Sequence, residues 1–187
     1  MNLKTLMTAA LGGLLALATL SVAAAPRTVT DAKAPGSLEK EGPVQVRWTD
    51  PSKFTEIRNS ANRWEAERGN WVYDLAKYIR TTAAKRLAPG QTLDVTITDI
   101  KRAGDYEPQH GPRAQDIRIM KDIYPPRMTL DYALKDAQGN VVKQSTGEKL
   151  IDMGYLSTGV GLRSDSDPLR YEKRMLDNWL KKVLPAA

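Results

Sequence analysis

Residues 104–111 read Gly-Asp-Tyr-Glu-Pro-Gln-His-Gly and group two carboxylates, a phenol and the only histidine of the chain. Asp105, Glu107 and His110 are the donor types of a two-carboxylate, one-imidazole metal site that would activate water for hydrolysis. As a general acid and base, the same carboxylates would need a cleft to separate their pKa values, and the local sequence supplies none. The simpler reading of so polar a loop is solvation, so the metal-dependent hydrolase is kept as an alternative only. Asp99 poses a different question. In the run Leu93, Val95, Ile97 the apolar parity places Asp99 on the dry face of a strand, where a carboxylate must be paired, hydrogen-bonded or protonated. Arg118 or Arg127 is the expected partner if Asp99 belongs to a site, and a strand-terminal turn or bulge capped by Asp99 is the plainer expectation. In Tyr124-Pro125-Pro126-Arg127 the prolines fix the backbone, leaving either a stiff aromatic-arginine lip or a strand start that needs no ladder donor. Asp99, Arg118, Tyr124 and Arg127 together form the candidate binding surface.

Other chemistry is excluded by residue type. With no cysteine there are no thiolate metal sites, cysteine nucleophiles or disulfides, and one histidine rules out zinc sites built on several imidazoles. No Gly-x-Ser-x-Gly elbow surrounds Ser157 or Ser164, and Gly159-Val160-Gly161 lacks the lysine and the prompt helix of a phosphate loop. No catalytic residue and no cofactor is expected.

The elements that must position these residues follow from periodicity. Val44, Val46 and Trp48 alternate with polar residues as a half-buried strand. In residues 52–70, Phe54 and Ile57 are spaced for one helical turn and Trp64 is the next expected anchor. Asn70 caps a helix whose stripe is Val72, Leu75, Ile79, Ala83 and Leu87, closed by Pro89-Gly90. Strands are expected at Leu93–Ile97, around Ile117 and Ile119, at Met128–Leu134, and at 141–151 after the turn Asp136-Ala137-Gln138-Gly139-Asn140. Residues 153–167 look loose. Asp167-Pro168 then opens a helix carrying Leu169, Leu176, Leu180 and Val183. The order β-α-β-β-β-β-α, with alternation in nearly every strand, predicts an α+β two-layer sandwich: a mainly antiparallel sheet of about five strands covered by two helices.

Residues 1–24 predict an address. Lys4, an apolar run from Leu6 to Val22 and the exit Ala23-Ala24-Ala25 are the three parts of a signal peptide, cut after Ala23 or Ala24. The run is near the lower limit for crossing a bilayer and no basic cluster follows it, so no transmembrane anchor is expected after cleavage. With no cysteine at the cut the product is not a lipoprotein; it is expected free in the periplasm. The mature chain then divides into a flexible leader at 25–43, an α+β domain at 44–156, and a loop with an amphipathic helix at 157–187 packing on that domain.

Several stretches carry a family likeness: Asp50-Pro51-Ser52-Lys53-Phe54, Leu87-Ala88-Pro89-Gly90-Gln91-Thr92-Leu93 running into Thr98-Asp99-Ile100, Ala103-Gly104, Asp116-Ile117-Arg118 leading to Tyr124-Pro125-Pro126-Arg127, and Gly147-Glu148-Lys149-Leu150 with Asp152. Together they resemble the exported proteobacterial proteins grouped as domain-of-unknown-function family 3016, over residues 43–156. The resemblance implies an exported single-domain protein and brings no activity with it.

The chain has a formal net charge of +6, and its basic excess gathers on the two helices through Lys77, Arg80, Lys85, Arg86, Arg170, Lys173, Arg174, Lys181 and Lys182. A solvated face explains that most simply, with attraction to anionic lipid or lipopolysaccharide as the functional alternative. Nucleic acid is not expected, because no basic strand carries an interleaved aromatic platform. The leading expectation is a monomeric, non-catalytic module that binds an envelope protein or glycolipid.

Overall fold

The computed structural model describes residues 28–111, 115–157 and 166–184. The expected signal segment, its cleavage site, Ser164 and Gly159-Val160-Gly161 lie outside them. In chain order the elements are β1 (Val44–Trp48), α1 (Thr55–Arg58), α2 (Arg63–Glu67), α3 (Trp71–Ala84), β2 (Thr92–Lys101), β3 (Asp105–Tyr106), β4 (Arg118–Ile119), β5 (Arg127–Lys135), β6 (Val141–Ile151) and α4 (Arg170–Val183).

The fold is α+β, and its main sheet has four strands in the order β1-β2-β5-β6. Apolar side chains alternate inward along β2 and β5, as their sequences require, and α3 and α4 lay their stripes over that face. Leu75, Ile79, Leu93, Ile97, Leu130, Leu176 and Leu180 are wholly buried at this junction. The Tyr132 ring meets Trp179 edge-on at 5.6 Å, joining β5 to α4.

The sheet departs from expectation in two respects. β1 runs parallel to β2, so the sheet is mixed. Alternation reports only that one face is covered; strand direction is set by the connection, and the helical crossover through α3 returns the chain to the end from which β1 started. The strand expected around Ile117 and Ile119 is not part of this sheet. It is the two-residue β4, paired antiparallel with β3 in a separate ribbon, Asp105 opposite Ile119 and Tyr106 opposite Arg118.

Three local expectations also change. Trp64 is not an anchor: it is 67% exposed, while Phe54 and Ile57 are buried. Within the stretch expected as a flexible leader, Val29 and Leu38 are core residues. Leu38 donates its N–H to the Val46 carbonyl at 2.9 Å and Trp48 donates to Gly36 at 2.9 Å, so this segment pairs with backbone groups of β1 that an open edge would leave unsatisfied. Tyr155, in the segment expected to be loose, is fully buried, its hydroxyl donating to the Lys121 carbonyl at 2.7 Å and its ring edge-on to Tyr171 at 5.0 Å.

Candidate functional site

The site grows from the carboxyl end of β2. The ladder between β2 and β5 slips between Ile97 and Asp99, a bulge that returns Ile100 to the buried face and turns Asp99 aside. Asp99 accepts from both the backbone N–H and the hydroxyl of Thr55, each at 2.6 Å, and so holds the first residue of α1. The next residue, Glu56, is thereby carried under the end of the sheet, where it is 2% exposed.

Three donors converge on Glu56. Lys101 Nζ reaches it at 3.2 Å, the Arg102 N–H at 3.0 Å, and the Arg118 guanidinium pairs with its other oxygen. Arg118 also donates to the carbonyls of Ala103 and Gly104. Burial alone would lower the pKa of Arg118, but the Glu56 carboxylate, with Tyr106, outweighs it and the pKa is raised. Beside this cluster, Glu172 of α4 is 1% exposed; its Oε1 accepts the Ala103 N–H at 2.7 Å and its Oε2 has no partner among the described residues. Burial pushes its carboxyl upward, with Arg102 opposing.

Above these acids opens a cleft of about 780 Å³, whose walls include α3, the β3–β4 ribbon and the start of α4. Four arginines line it, and each lies over an aromatic ring: Arg68 on Trp64 at 5.5 Å, Arg102 on Trp71 at 5.6 Å, Arg118 on Tyr106 at 4.6 Å and Arg170 on Tyr171 at 4.4 Å. Stacking fixes the plane of a guanidinium and leaves its in-plane N–H groups to hydrogen-bond. The acids on the wall are Glu65, which pairs with Arg68 at 3.1 Å, and Asp74, whose carboxyl is raised by burial. The ribbon stands close to the sheet because Gly104 sits at φ +74°; a Cβ there would lie 2.5 Å from Met120 Sδ and 2.8 Å from the Ile119 carbonyl oxygen.

The residues singled out in the sequence are thus distributed among different structures. Asp99 binds Thr55 rather than Arg118 or Arg127. Arg118 stands in the cleft wall, and Arg127 is exposed at the start of β5. Tyr124 belongs to a second cluster, where Glu107 accepts from Lys121 at 2.6 Å, from Tyr124 at 2.7 Å, and contacts His110 Nε2 at 2.7 Å. The Lys121 and Tyr124 hydrogen bonds hold the Glu107 carboxyl down to about 2. Asp105 turns away to the Tyr106 N–H at 2.8 Å and to Lys101 at 3.5 Å. Of the three residues kept as an alternative metal set, Asp105 therefore does not join Glu107 and His110, and a lysine ammonium holds the carboxylate that a metal would need. No grouping of three or more such side chains suited to a metal occurs among the described residues.

Sequence reasoning missed Glu56, Arg102, Trp71 and Glu172. Glu172 leaves a trace: it falls three residues after Leu169 and four before Leu176, within the apolar stripe of α4, where a charged residue has to be buried. The others meet only through the fold. No curated protein and no solved structure matches the chain. A family model described as "Protein of unknown function (DUF3016)" matches residues 42–182, extending the likeness through α4, whose Glu172 and Tyr171 complete the site. The chain belongs to the DUF3016 family.

Proposed function

We propose that the protein is an exported, non-catalytic binding module of the cell envelope, acting as a periplasmic monomer on an envelope protein or glycolipid. The observation that carries this reading is the cleft ringed by four stacked arginines, a concave surface of ligand-binding size. Two of the carboxylates around it are committed to cations rather than free for acid–base work, since Glu56 is held by three donors and Glu65 pairs with Arg68. Export rests on the three-part pattern of residues 1–24. Of the sequence candidates, Arg118 is retained as part of this surface, with Asp99 positioning α1 beneath it, whereas Tyr124 and Arg127 are not among the residues that line it.

Expression of the full sequence in a Gram-negative host, with osmotic-shock fractionation and N-terminal sequencing, tests the address. A periplasmic product beginning at Ala24 or Ala25 is expected; an unprocessed cytoplasmic product contradicts it. Arg68, 65% exposed at its side chain, allows the cleft to be tested without touching the buried cluster. Arg68→Glu is expected to weaken retention of the native envelope partner, and retention equal to wild type refutes the assignment of the cleft.

A second reading has its own observation. At the end of the sheet near Leu184, a groove of about 720 Å³ is lined by Lys85, Arg86, Lys143 and Lys182 around Leu87, Leu134, Val142 and Leu184, with no acidic side chain in its wall. Cations around an apolar floor suit an anionic lipid. Co-sedimentation with phosphatidylglycerol vesicles that falls as salt rises supports this reading, and no sedimentation at low salt removes it.

A further inference from the structure

We infer that the arginine-ringed cleft binds an oxyanion, a carboxylate or phosphate group carried on its ligand, and that the Arg102 guanidinium is the direct donor. The inference deepens the binding-module reading and rests on the same cleft.

The four arginines differ in what their N–H groups already do. Arg118 is spent on Glu56 and on two carbonyls. Arg170 donates to the Asp167 carbonyl and to the Tyr171 hydroxyl, each at 3.2 Å. Arg68 donates to Glu65 at 3.1 Å. Arg102 is the exception. Its side chain lies on Trp71, its Nε is buried, and that Nε has no hydrogen-bond partner among the described residues. Of the two acids beside it, Glu56 is engaged by Lys101 and Arg118, while Glu172, whose carboxyl burial pushes upward towards its neutral form, holds the Ala103 N–H with Oε1 and leaves Oε2 without a partner among the described residues. A desolvated guanidinium with an unfilled donor is costly unless an acceptor arrives, and the acceptor that matches its planar fork is a two-oxygen anion.

The surroundings select for negative charge. Arg102 stands next to Arg118, and burial together with that neighbouring cation lowers its pKa, which an incoming anion would relieve. Trp71, Tyr106 and Tyr171, all buried, back three of the guanidiniums and hold their planes in place before a ligand enters. Arg68, at the exposed lip, adds a long-range attraction for the same sign of charge.

Calorimetric titration of the purified protein, expressed from its full sequence, tests this with three soluble probes: inorganic phosphate, glucuronate and neutral glucose. Saturable one-to-one binding of phosphate or glucuronate, with none of glucose, is expected. Arg102→Lys, which keeps the charge and loses the fork, should weaken that binding by about tenfold or more. Arg102→Gln should abolish it. Should the Gln variant fail to fold, Arg68→Glu serves in its place and is expected to weaken the same binding. A parallel arm with phosphatidylethanolamine vesicles, with and without phosphatidylglycerol, distinguishes a lipid headgroup from a soluble anion: sedimentation with the anionic vesicles that Arg102→Lys releases assigns the oxyanion to a headgroup. Failure of every anionic probe to bind, or binding that Arg102→Lys leaves unchanged, overturns the inference. If the anions fail while an envelope partner is still retained in an Arg68-dependent manner, the ligand class is wrong and the binding-module reading survives.

Discussion

Replacing Glu56 by Gln removes one negative charge from beneath the cleft and nearly nothing else. The side chain is 2% exposed and receives Lys101, the Arg102 N–H and Arg118, so the amide, with one acceptor oxygen, must point an NH2 group at one of those donors. Lys101 retains Asp105 at 3.5 Å and the Gly104 carbonyl at 2.8 Å; Arg118 retains the carbonyls of Ala103 and Gly104 and the face of Tyr106. Removing one member of a buried pair costs about 3–5 kcal/mol, and the shape-conserving Gln belongs at the lower end, about 3 kcal/mol. For a domain of this size that lowers Tm by roughly 6–12 °C, a large share of a total stability of about 5–15 kcal/mol. Urea unfolding followed by tryptophan fluorescence reads the change directly, because Trp48, Trp71 and Trp179 are buried and report on the same core. The cycle Glu56→Leu, Arg118→Met and their double variant separates pairing from packing: the double variant should lose at least about 1 kcal/mol less than the sum of the singles. A Gln variant within about 1 kcal/mol of wild type, or strict additivity in the cycle, would show that the cluster is not the support described above.

Glu172→Gln should be as stable as wild type or more so at neutral pH, while Glu172→Ala, which loses the acceptor for Ala103, should be less stable; urea midpoints decide it. Because burial raises the Glu172 carboxyl, its charging costs stability as pH rises through its folded pKa, so the advantage of Gln should shrink on acidification. Glu107 behaves oppositely: held down to about 2, it contributes stability that is whole above the ordinary value of 4.5 and lost as pH falls towards 2, and Glu107→Gln should flatten that part of the acid profile. Gly104→Ala should destabilise by about 2 kcal/mol or more, since it combines a left-handed backbone with a collision against Met120 and Ile119; thermal melts equal to wild type would contradict the close approach of the ribbon.

The layers of this fold were legible because they obey local periods. Leu93, Val95 and Ile97 alternate, Val72, Leu75, Ile79 and Ala83 recur at helical spacing, and the structure buries both sets. The direction of β1 was not legible, since the same alternation serves a parallel or an antiparallel neighbour. Asp99 shows how a single bulge defeats parity: one extra residue moves the carboxylate from the core to the N-terminus of α1. Arg118 was singled out for its type and proves to line the cleft, but paired with Glu56, 62 residues away in sequence, rather than with Asp99. Arg102 carried no local signal. Its importance arises from Trp71 beneath it and from Glu56 being committed to Lys101 and Arg118, both consequences of tertiary structure.

The most direct test of the cleft as an anion site is the arginine Nε–H resonance of Arg102 in a heteronuclear NMR spectrum, assigned by its loss in Arg102→Lys. Addition of phosphate or glucuronate should shift that resonance saturably and slow its exchange with water, while the Arg118 Nε–H moves less. An Arg102 signal that stays fixed at anion concentrations that saturate binding would contradict the account.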